Sequence, residues 1–591
     1  MVKLFSKRQK TLMSGKFFSM LLGGTLTMLV VSILLMSDSI IAGIFVGSNA
    51  VAGVTLVTPL YSMAAFFGSV FALGVPIVYS EEMGKFNKRG ADQVFGLGLL
   101  MSIAVGAALF LLVLLFGDMY LQSSRPLESV LAEARGYLRW MRFTILLFPL
   151  YNFMLEVVYS DGDETLCTIA SAVQGVGNIA VSILLSRVMG IRGIGLASFL
   201  FTAVSLLILF THFLKKSNSL RLNLYFSVSL LKTVTQYSII DASTYLFLSI
   251  QIAILNAFIS TQFGAKYLIL ASVITLCREF QLVFDGIGEA ITPIISVYLG
   301  EESYSGVSST YKIAERTAVV EGIAVTVIVF LCATFIPNIL DITEPELIRL
   351  AAAETRLLAL GSVFVSLLYL LSSYYLLIKK ISLGLVVSAM RDVLLAIPLA
   401  VLLGMAFGVY GLFIGMAVAP AAAYALTLIY VSWRYGRENC PIFLGSLKGN
   451  IRSELFNLRT EPEQIIDLQK KVSALLQKNG IDSRTVARLE LLIEELYMLI
   501  REKNDGKAVL SECSVLLRPE GVQIITKDEG VIFDISEENS DITSLNAFVV
   551  ASYMERMGQN KRYLTTISFN RCSFLFKASQ NNSVQTGNGQ L

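Results

Sequence analysis

Histidine is almost missing from this chain: His212 is the only one in 591 residues. That excludes metal sites built from several histidines. It also excludes a histidine-kinase phosphorylation site in the C-terminal region, since His212 lies outside it; a lone histidine at a helix end reads as an interfacial residue. Charge is scarce as well, 15% of residues against about 25% in soluble domains. The net charge of +3 is too small to mark a nucleic-acid partner. The six cysteines (Cys167, Cys277, Cys332, Cys440, Cys513, Cys572) are too scattered for a zinc site or a disulfide framework. No phosphate-binding Gly-x-x-x-x-Gly-Lys-Ser/Thr loop occurs, so nothing supports ATP-driven work.

What the chain has in excess is apolar sequence. It is 55% hydrophobic, with a mean hydropathy of +0.68. A run of about 20 apolar residues crosses a bilayer, and Phe17–Met36, Ala91–Phe116, Ile194–Phe213, Ala318–Phe335, Ile381–Ala406 and Leu412–Trp433 are such runs. Twelve spans are expected, at 17–38, 49–79, 91–116, 132–159, 164–186, 192–213, 232–259, 266–297, 317–336, 349–378, 381–405 and 409–433. The first follows a basic start (Lys3, Lys7, Arg8, Lys10, Lys16) but has no small-residue cleavage site, so it reads as a retained helix. The positive-inside rule favours cytoplasmic termini. Lys85, Lys88, Arg89, Lys215, Lys216, Arg221, Lys312, Arg316, Lys379 and Lys380 then fall on one side, against mainly Arg125, Arg187, Arg192 and Lys266 on the other.

Two landmarks repeat at one offset. Gly190-Ile-Arg-Gly193 and Gly408-Val-Tyr-Gly411 lie 218 positions apart; the runs starting at Pro76 and Pro293 lie 217 apart. The membrane part therefore reads as two six-helix bundles in tandem, both in the same orientation. Parallel repeats of this kind place a substrate cavity between the halves, near the midplane. The expected organisation is an N-terminal segment 1–16, a first lobe 17–213, a linker 214–231, a second lobe 232–433, a linker 434–460, a soluble α+β domain 461–578 and a tail 579–591. In that domain, Pro462–Asn479 and Thr485–Arg501 have helical periodicity, as does Leu545–Met557. Val509–Leu517 and Val522–Thr526 flank the turn signal Arg518-Pro-Glu-Gly521 as a hairpin. Leu564–Phe569 and Ser573–Lys577 read as closing strands.

The run Asp38–Leu60 (DSIIAGIFVGSNAVAGVTLVTPL) resembles the region joining the first two helices of MATE (multidrug and toxic compound extrusion) transporters, in which an Asp precedes a loop of the form F-x-G-x-x-A-[LV]-A. Glu289–Ala314 (EAITPIISVYLGEESYSGVSSTYKIA) is similar to the family's second-half loop, and the two Gly-x-x-Gly landmarks and Arg391 match it too. The resemblance covers about residues 10–435. It implies a secondary antiporter that exports small amphipathic or cationic compounds by alternating access, driven by Na⁺ or H⁺. The sequence departs from the pattern at Ser182, where an Asp commonly follows Asn178; at Asp241, where a Pro is usual; and over Leu357–Ile378, which holds no acid. The choice of coupling ion stays open between Na⁺ and H⁺.

A charge inside a bilayer costs several kcal/mol unless paired or wet, so each one is a functional candidate. The coupling-ion and substrate candidates are Asp38, Glu156, Asp241, Arg278, Asp285, Glu289 and Arg391. The family pattern gives Asp38 the coupling role in the first lobe; the alternative is a helix cap at the outer interface. At 100° per residue, Arg278, Asp285 and Glu289 fall within about 20° of one stripe. That stripe is either a cation-binding wall or a structural ion-pair ladder. Arg391, beside Asp392, reads as structural. Tyr61, Phe66 and Tyr245 could line a cavity for flat cations.

Residues 461–578 resemble a GHKL-type ATP-binding domain of the anti-sigma-factor serine kinase branch. The run Arg488–Leu496 (RLELLIEEL) is similar to the N-box helix, and Asp528-Glu-Gly530-Val-Ile-Phe533 to D-x-G-x-x-F. The resemblance makes Glu494, Glu495, Asp528 and Gly530 the nucleotide-binding candidates. The Mg²⁺ ligand position, however, reads Met498 or Leu499, which cannot coordinate a hard cation. The glycine-rich phosphate box reads Ser544-Leu-Asn-Ala-Phe548. These departures speak against ATP binding, ATPase or kinase activity and favour a degenerate regulatory fold. No cofactor is expected beyond the coupling ion. The expected partners are an organic small molecule, the bilayer of a bacterial inner membrane, and a cytoplasmic regulatory protein at the C-terminal domain. The competing readings are a flippase for a lipid-linked precursor and a membrane receptor signalling through the soluble domain.

Overall fold

In lipid every backbone N–H and C=O must be paired within the chain, and a single apolar segment manages this only as a helix. The computed structural model follows that rule. It describes residues 11–123, 128–216, 218–264, 267–339, 344–443, 452–519, 521–531, 533, 546, 550, 562–563 and 569–577. The chain divides into two compact units. One is Lys16–Gly300 with Val307–Leu444; the other is Met1–Gly15, Glu301–Gly306 and Gly445–Leu591.

In the larger unit the first half holds α1 (Leu12–Phe45), α2 (Ser48–Gly84), α3 (Lys88–Ser123), α4 (Glu128–Ser160), α5 (Glu164–Ala172), α6 (Asn178–Met189) and α7 (Ile191–Phe210). The second holds α8 (Val228–Gln262), α9 (Leu268–Phe280), α10 (Asp285–Glu301), α11 (Tyr304–Cys332), α12 (Ile336–Ile339), α13 (Pro345–Leu360), α14 (Ser362–Leu377), α15 (Ile381–Ala389) and α16 (Ala396–Tyr435). Each half has its own apolar core. Ile41, Val57, Met141, Ile145 and Ile194 lie in the first; Leu255, Ile274, Leu350, Leu412 and Phe413 lie in the second. Large apolar side chains also face outward, among them Leu115, Val188, Leu207 and Phe407, each exposed by 65% or more. An apolar surface of that extent belongs in lipid, not in water.

The internal repeat shows in the backbone. A π-helical turn at Val173–Gly177 has its counterpart 217 residues on, at Met390–Leu394. Gly190 (φ 62°, ψ −143°) and Gly408 (φ 68°, ψ −153°) share one left-handed conformation that only glycine adopts freely. Behind each bend the chains close tightly: a Cβ on Gly193 would lie 2.4 Å from the Leu185 carbonyl, and one on Gly411 would lie 1.9 Å from the Leu403 carbonyl.

Among the described residues, eight helical stretches are long and apolar enough to cross a membrane, or nine when the α13–α14 pair, bent by 47°, counts as one span. Three causes separate this from the twelve expected; one is α8, the expected span 232–259, in which many side chains lie outside the described residues. Ile381–Tyr435 is scored as one stretch of 55 residues, yet a straight helix that long would measure about 80 Å. It is broken at Gly408, between the expected spans 381–405 and 409–433. The last 18 residues of α11 hold Glu315, Arg316 and Glu321, which puts them above the charge limit for an apolar span.

The smaller unit contains a five-stranded antiparallel sheet, in the order β1-β2-β3-β5-β4. The strands are β1 (Arg452–Arg459), β2 (Leu510–Arg518), β3 (Gly521–Asp528), β4 (Arg562–Tyr563) and β5 (Asn570–Lys577). Two helices, α17 (Pro462–Lys478) and α18 (Ser483–Lys503), pack Leu468, Val472, Leu489, Ile493 and Leu496 against Cys513, Val515, Ile524 and Phe574 of one sheet face. Asp482 caps α18 by accepting from the Thr485 amide at 2.9 Å. β1 falls inside the stretch read as a linker. The expected helix at 545–557 lies largely outside the described residues, as does most of the expected strand at 564–569.

Candidate functional site

The first half builds a polar site around Asp38, far along α1 from its start. α4 supplies Tyr137, whose hydroxyl donates to Asp38 Oδ2 at 2.6 Å; α7 supplies Ser198, which donates to the same oxygen at 3.2 Å. Behind them, Asn178 donates to Ser198 Oγ at 3.3 Å and accepts from Ser182 at 2.8 Å. Asn178 is the first residue after the π-helical turn, a feature frequent at functional sites. Asp38 Oδ1 is buried and has no hydrogen-bond partner among the described residues. A carboxylate with one oxygen held and the other open can take up a proton or a desolvated cation. Tyr137 and Ser198 escaped the sequence reading because neutral hydroxyls in apolar helices carry no signal.

The second half brings a different group together. Arg391 and Asp392 lie on the second π-helical turn, both buried. Arg391 chelates the Asp392 carboxylate at 2.9 and 2.7 Å, and its guanidinium stacks 3.7 Å from the Tyr369 ring centre. Arg278 also donates to Asp392 Oδ1. The expected stripe of Arg278, Asp285 and Glu289 assumed one continuous α-helix. A 3₁₀ turn at Gln281–Phe284 separates α9 from α10, and its tighter winding adds about 20° per residue. Asp285 and Glu289 therefore leave the Arg278 face. Asp285 lies near Arg391. Asp241 lies on α8, and its side chain is outside the described residues.

Glu289 and Glu156 belong to a third place, where the two halves cross. A Cβ on Gly24 of α1 would lie 2.7 Å from Glu289 Oε2 and 3.2 Å from the Tyr159 hydroxyl; one on Gly286 of α10 would lie 2.7 Å from the Thr25 amide. Glu156 is on α4, one turn before Tyr159. At one end of the same crossing, Gly84 of α2 and Gly300 of α10 meet backbone to backbone. A Cβ on Gly300 would lie 2.4 Å from the Glu81 carbonyl and 2.6 Å from Gly84 Cα. The two halves are shut against each other at this end. An ionic cluster borders it: Lys16 pairs with Glu164 at 2.6 Å, and Lys379 with Glu81 at 2.8 Å. His212, read as interfacial, is buried here, its ring nitrogens 2.9 Å from both Asp161 and Asp163. Burial pushes the Asp163 carboxyl up, but the His212 and Lys215 contacts outweigh it and hold it near 2.

One buried acid was missed. Glu354 on α13 is 0% exposed, and neither carboxylate oxygen has a hydrogen-bond partner among the described residues. The acid-free stretch Leu357–Ile378 begins just after Glu354, whereas α13 begins at Pro345. Proline is favoured at that first helical position, so Glu344-Pro345-Glu346 was the available signal.

In the smaller unit Asp528 is buried, and its Oδ1 accepts from the Gly530 amide at 2.9 Å and from Asn570 at 3.0 Å. Burial raises its pKa to about 6. Gly530 is required by close approach: a Cβ there would lie 2.5 Å from Asn504 Nδ2. Glu494 is exposed and accepts from Gln469 at 2.9 Å. Burial and the neighbouring Glu494 raise the pKa of Glu495.

The comparisons with known proteins agree with this architecture. A family model described as MatE matches residues 25–184 and 242–402, more than half of the chain. Among solved structures, an outward-facing multidrug resistance MATE family transporter of the MOP superfamily aligns with TM-score 0.66 at 18% identity, over 73% of this chain and 96% of that one. A MATE structure described as being in the bent conformation aligns with TM-score 0.65 at 18% identity, over 74% and 96%. A MOP superfamily transporter from Pyrococcus furiosus, described as having a binding pocket of reverse polarity, aligns with TM-score 0.64 at 18% identity, over 73% and 96%. No curated protein sequence matches the chain. With the tandem repeat, the two lobes and the family match in agreement, this chain belongs to the MatE family of membrane transporters.

Proposed function

We propose that this chain is a secondary antiporter that exports small amphipathic or cationic compounds by alternating access, in exchange for Na⁺ or H⁺. The observation that carries the reading is Asp38: a carboxylate inside the first lobe, held on one oxygen by Tyr137 and Ser198 and open on the other. Binding a cation or proton there neutralises the charge and removes the reason for the polar network to hold its present shape. The equilibrium between the two access states then shifts by the difference in ion affinity between them. Ser182 supplies no second carboxylate beside Asn178, which favours an ion that one acid can carry.

The charge pattern read by the positive-inside rule supports a cytoplasmic side for the Gly84–Gly300 end and for both termini, in the inner membrane of a bacterium. The shut end is then the cytoplasmic one, and the state is open or occluded toward the outside. The C-terminal domain, with its GHKL-like pattern and degraded phosphate and Mg²⁺ positions, serves as a regulatory module that docks a cytoplasmic protein without hydrolysing ATP. The two arginines of the second lobe bear on the flippase alternative, in which an anionic headgroup needs unpaired cations. Arg278 and Arg391 share Asp392, and Asp285 lies close. That neutralised set supports a cationic substrate.

The test is energised efflux of ethidium from cells expressing the chain, with and without Asp38→Asn. Efflux by the unmutated chain, lost in the variant at equal membrane abundance, is expected. Equal efflux from both refutes the role of Asp38.

A further inference from the structure

The sheet of the smaller unit has two unlike faces. Residues of one parity (Cys513, Val515, Val522, Ile524, Cys572, Phe574) form the core with α17 and α18. Residues of the other parity point the opposite way. Among these, Glu512 of β2 lies directly across from Lys527 of β3, and Lys527 directly across from Arg571 of β5. Two cations side by side on adjacent strands repel, and here both are buried, 2% and 1% exposed. Such a pair persists only around an anion. Glu512, 3.1 Å from Lys527, supplies one.

The second anion comes from outside the sheet. Residues Glu301–Gly306 span the turn between α10 and α11, with one residue of α10 and three of α11, and belong to the same compact unit as the C-terminal residues. Glu301 is buried and bridges the pair, Oε2 to Lys527 Nζ at 2.9 Å and Oε1 to Arg571 Nε at 2.6 Å. With Glu512 the row becomes neutral. The rest of the turn follows: Arg518 pairs with Glu302, the Ser305 amide donates to Ser453 Oγ at 3.0 Å, and the Ser303 and Ser514 hydroxyls lie 3.4 Å apart. Glu302 holds φ at +63°, a left-handed backbone for a side-chain-bearing residue.

We propose that this face of the C-terminal sheet is a carboxylate-binding clamp for the α10–α11 turn, and that the domain regulates transport by holding or releasing that turn. The lever is covalent: Gly300, which closes against Gly84, is the residue immediately before Glu301. A clamped turn keeps the last turn of α10 in place, and with it the shut end. A partner that pries the domain's sheet from Glu301 frees the end to open. The transport readout rests on the antiport reading; the clamp itself does not.

The test uses the full-length protein in a Cys332→Ser background carrying Ser303→Cys and Ser514→Cys. The two hydroxyls, 3.4 Å apart, put the thiols that replace them within reach of each other. On mild oxidation, a cross-link between the two peptides is expected in mass spectrometry, and Glu301→Gln should lower its yield about fivefold by leaving two buried cations with one acid. In the cross-linked protein, efflux should fall at least about tenfold and return on reduction. Amides 81–84 and 297–300 should exchange hydrogen about tenfold more slowly, a measurement that needs no substrate. No cross-link above single-cysteine controls overturns the clamp. A complete cross-link that changes neither exchange nor efflux overturns the regulation. Absent efflux in every form, with slowed exchange on cross-linking, rejects the antiport reading and supports the clamp.

Discussion

Glu354 is the site at which stability and transport should pull apart most clearly. It sits on α13, with Leu350, Ala351 and Leu358 of its own helix in the apolar core of the second lobe and both carboxylate oxygens without partners among the described residues. A buried polar group left unsatisfied costs about 1–3 kcal/mol even when neutral. Methionine has nearly the same length, no polar atom to desolvate and the flexibility to fill the gap. Glu354→Met should therefore stabilise the protein by about 1–3 kcal/mol, raising the thermal midpoint of the detergent-purified chain by a few degrees. Among the described residues no hydrogen bond is lost in exchange. The same substitution removes an ionisable group from the membrane interior, where such groups are kept for function. Efflux should then drop about tenfold or more while stability rises, the trade expected when a group is retained for activity. Thermal unfolding followed by a thiol-reactive dye, run beside the efflux assay, reads both. A lower midpoint for Glu354→Met would show that the carboxyl has a partner that holds it, and the reasoning would fail.

Three further outcomes follow from the geometry. Tyr137→Phe deletes the 2.6 Å donor to Asp38; a hydrogen bond to a charged group contributes about 1.5–3 kcal/mol, so coupling-ion affinity, read as the ion concentration for half-maximal efflux, should shift about 10- to 100-fold at unchanged abundance. Gly300→Val puts side-chain atoms where the Glu81 carbonyl lies 2.4 Å away, so the shut end should open and exchange of amides 81–84 should quicken; unchanged exchange would refute the crossing. Asp528 has a folded pKa of about 6, above its ordinary 3.8, so between those values the folded chain binds more protons than the unfolded one. Its contribution is fully present below about pH 3.8 and lost as pH rises through 6. Asp528→Asn should remove that pH dependence and, at pH 7, raise the stability of the domain by up to about 3 kcal/mol, measured by hydrogen exchange of β3 in the full chain.

The sequence made some of this plain and hid the rest for physical reasons. The repeat was visible because Gly190 and Gly408 each bend the backbone where only glycine serves, so residue type reports conformation directly. Asp38 stood out because a carboxylate in an apolar run is rare. Its partners did not, since Tyr137 and Ser198 lie 99 and 160 positions away and only packing brings them together. The Arg278 stripe failed because helical projection cannot foresee a 3₁₀ turn between α9 and α10. The clamp was hidden most deeply. Nothing in the sequence links Glu301, Glu512, Lys527 and Arg571, and it takes strand register to stack three of them in one row.

The central claim, that export is coupled to an ion bound at Asp38, is tested most directly in proteoliposomes holding the purified chain. The measurement is ethidium movement driven by an imposed Na⁺ gradient and, separately, by an imposed pH gradient, for the unmutated protein and for Asp38→Asn. The account predicts uphill movement under one of the two gradients, abolished in the variant, while gradient-independent exchange of ethidium persists. Uphill movement by Asp38→Asn at the unmutated rate, or no gradient-driven movement by the unmutated chain, would contradict it.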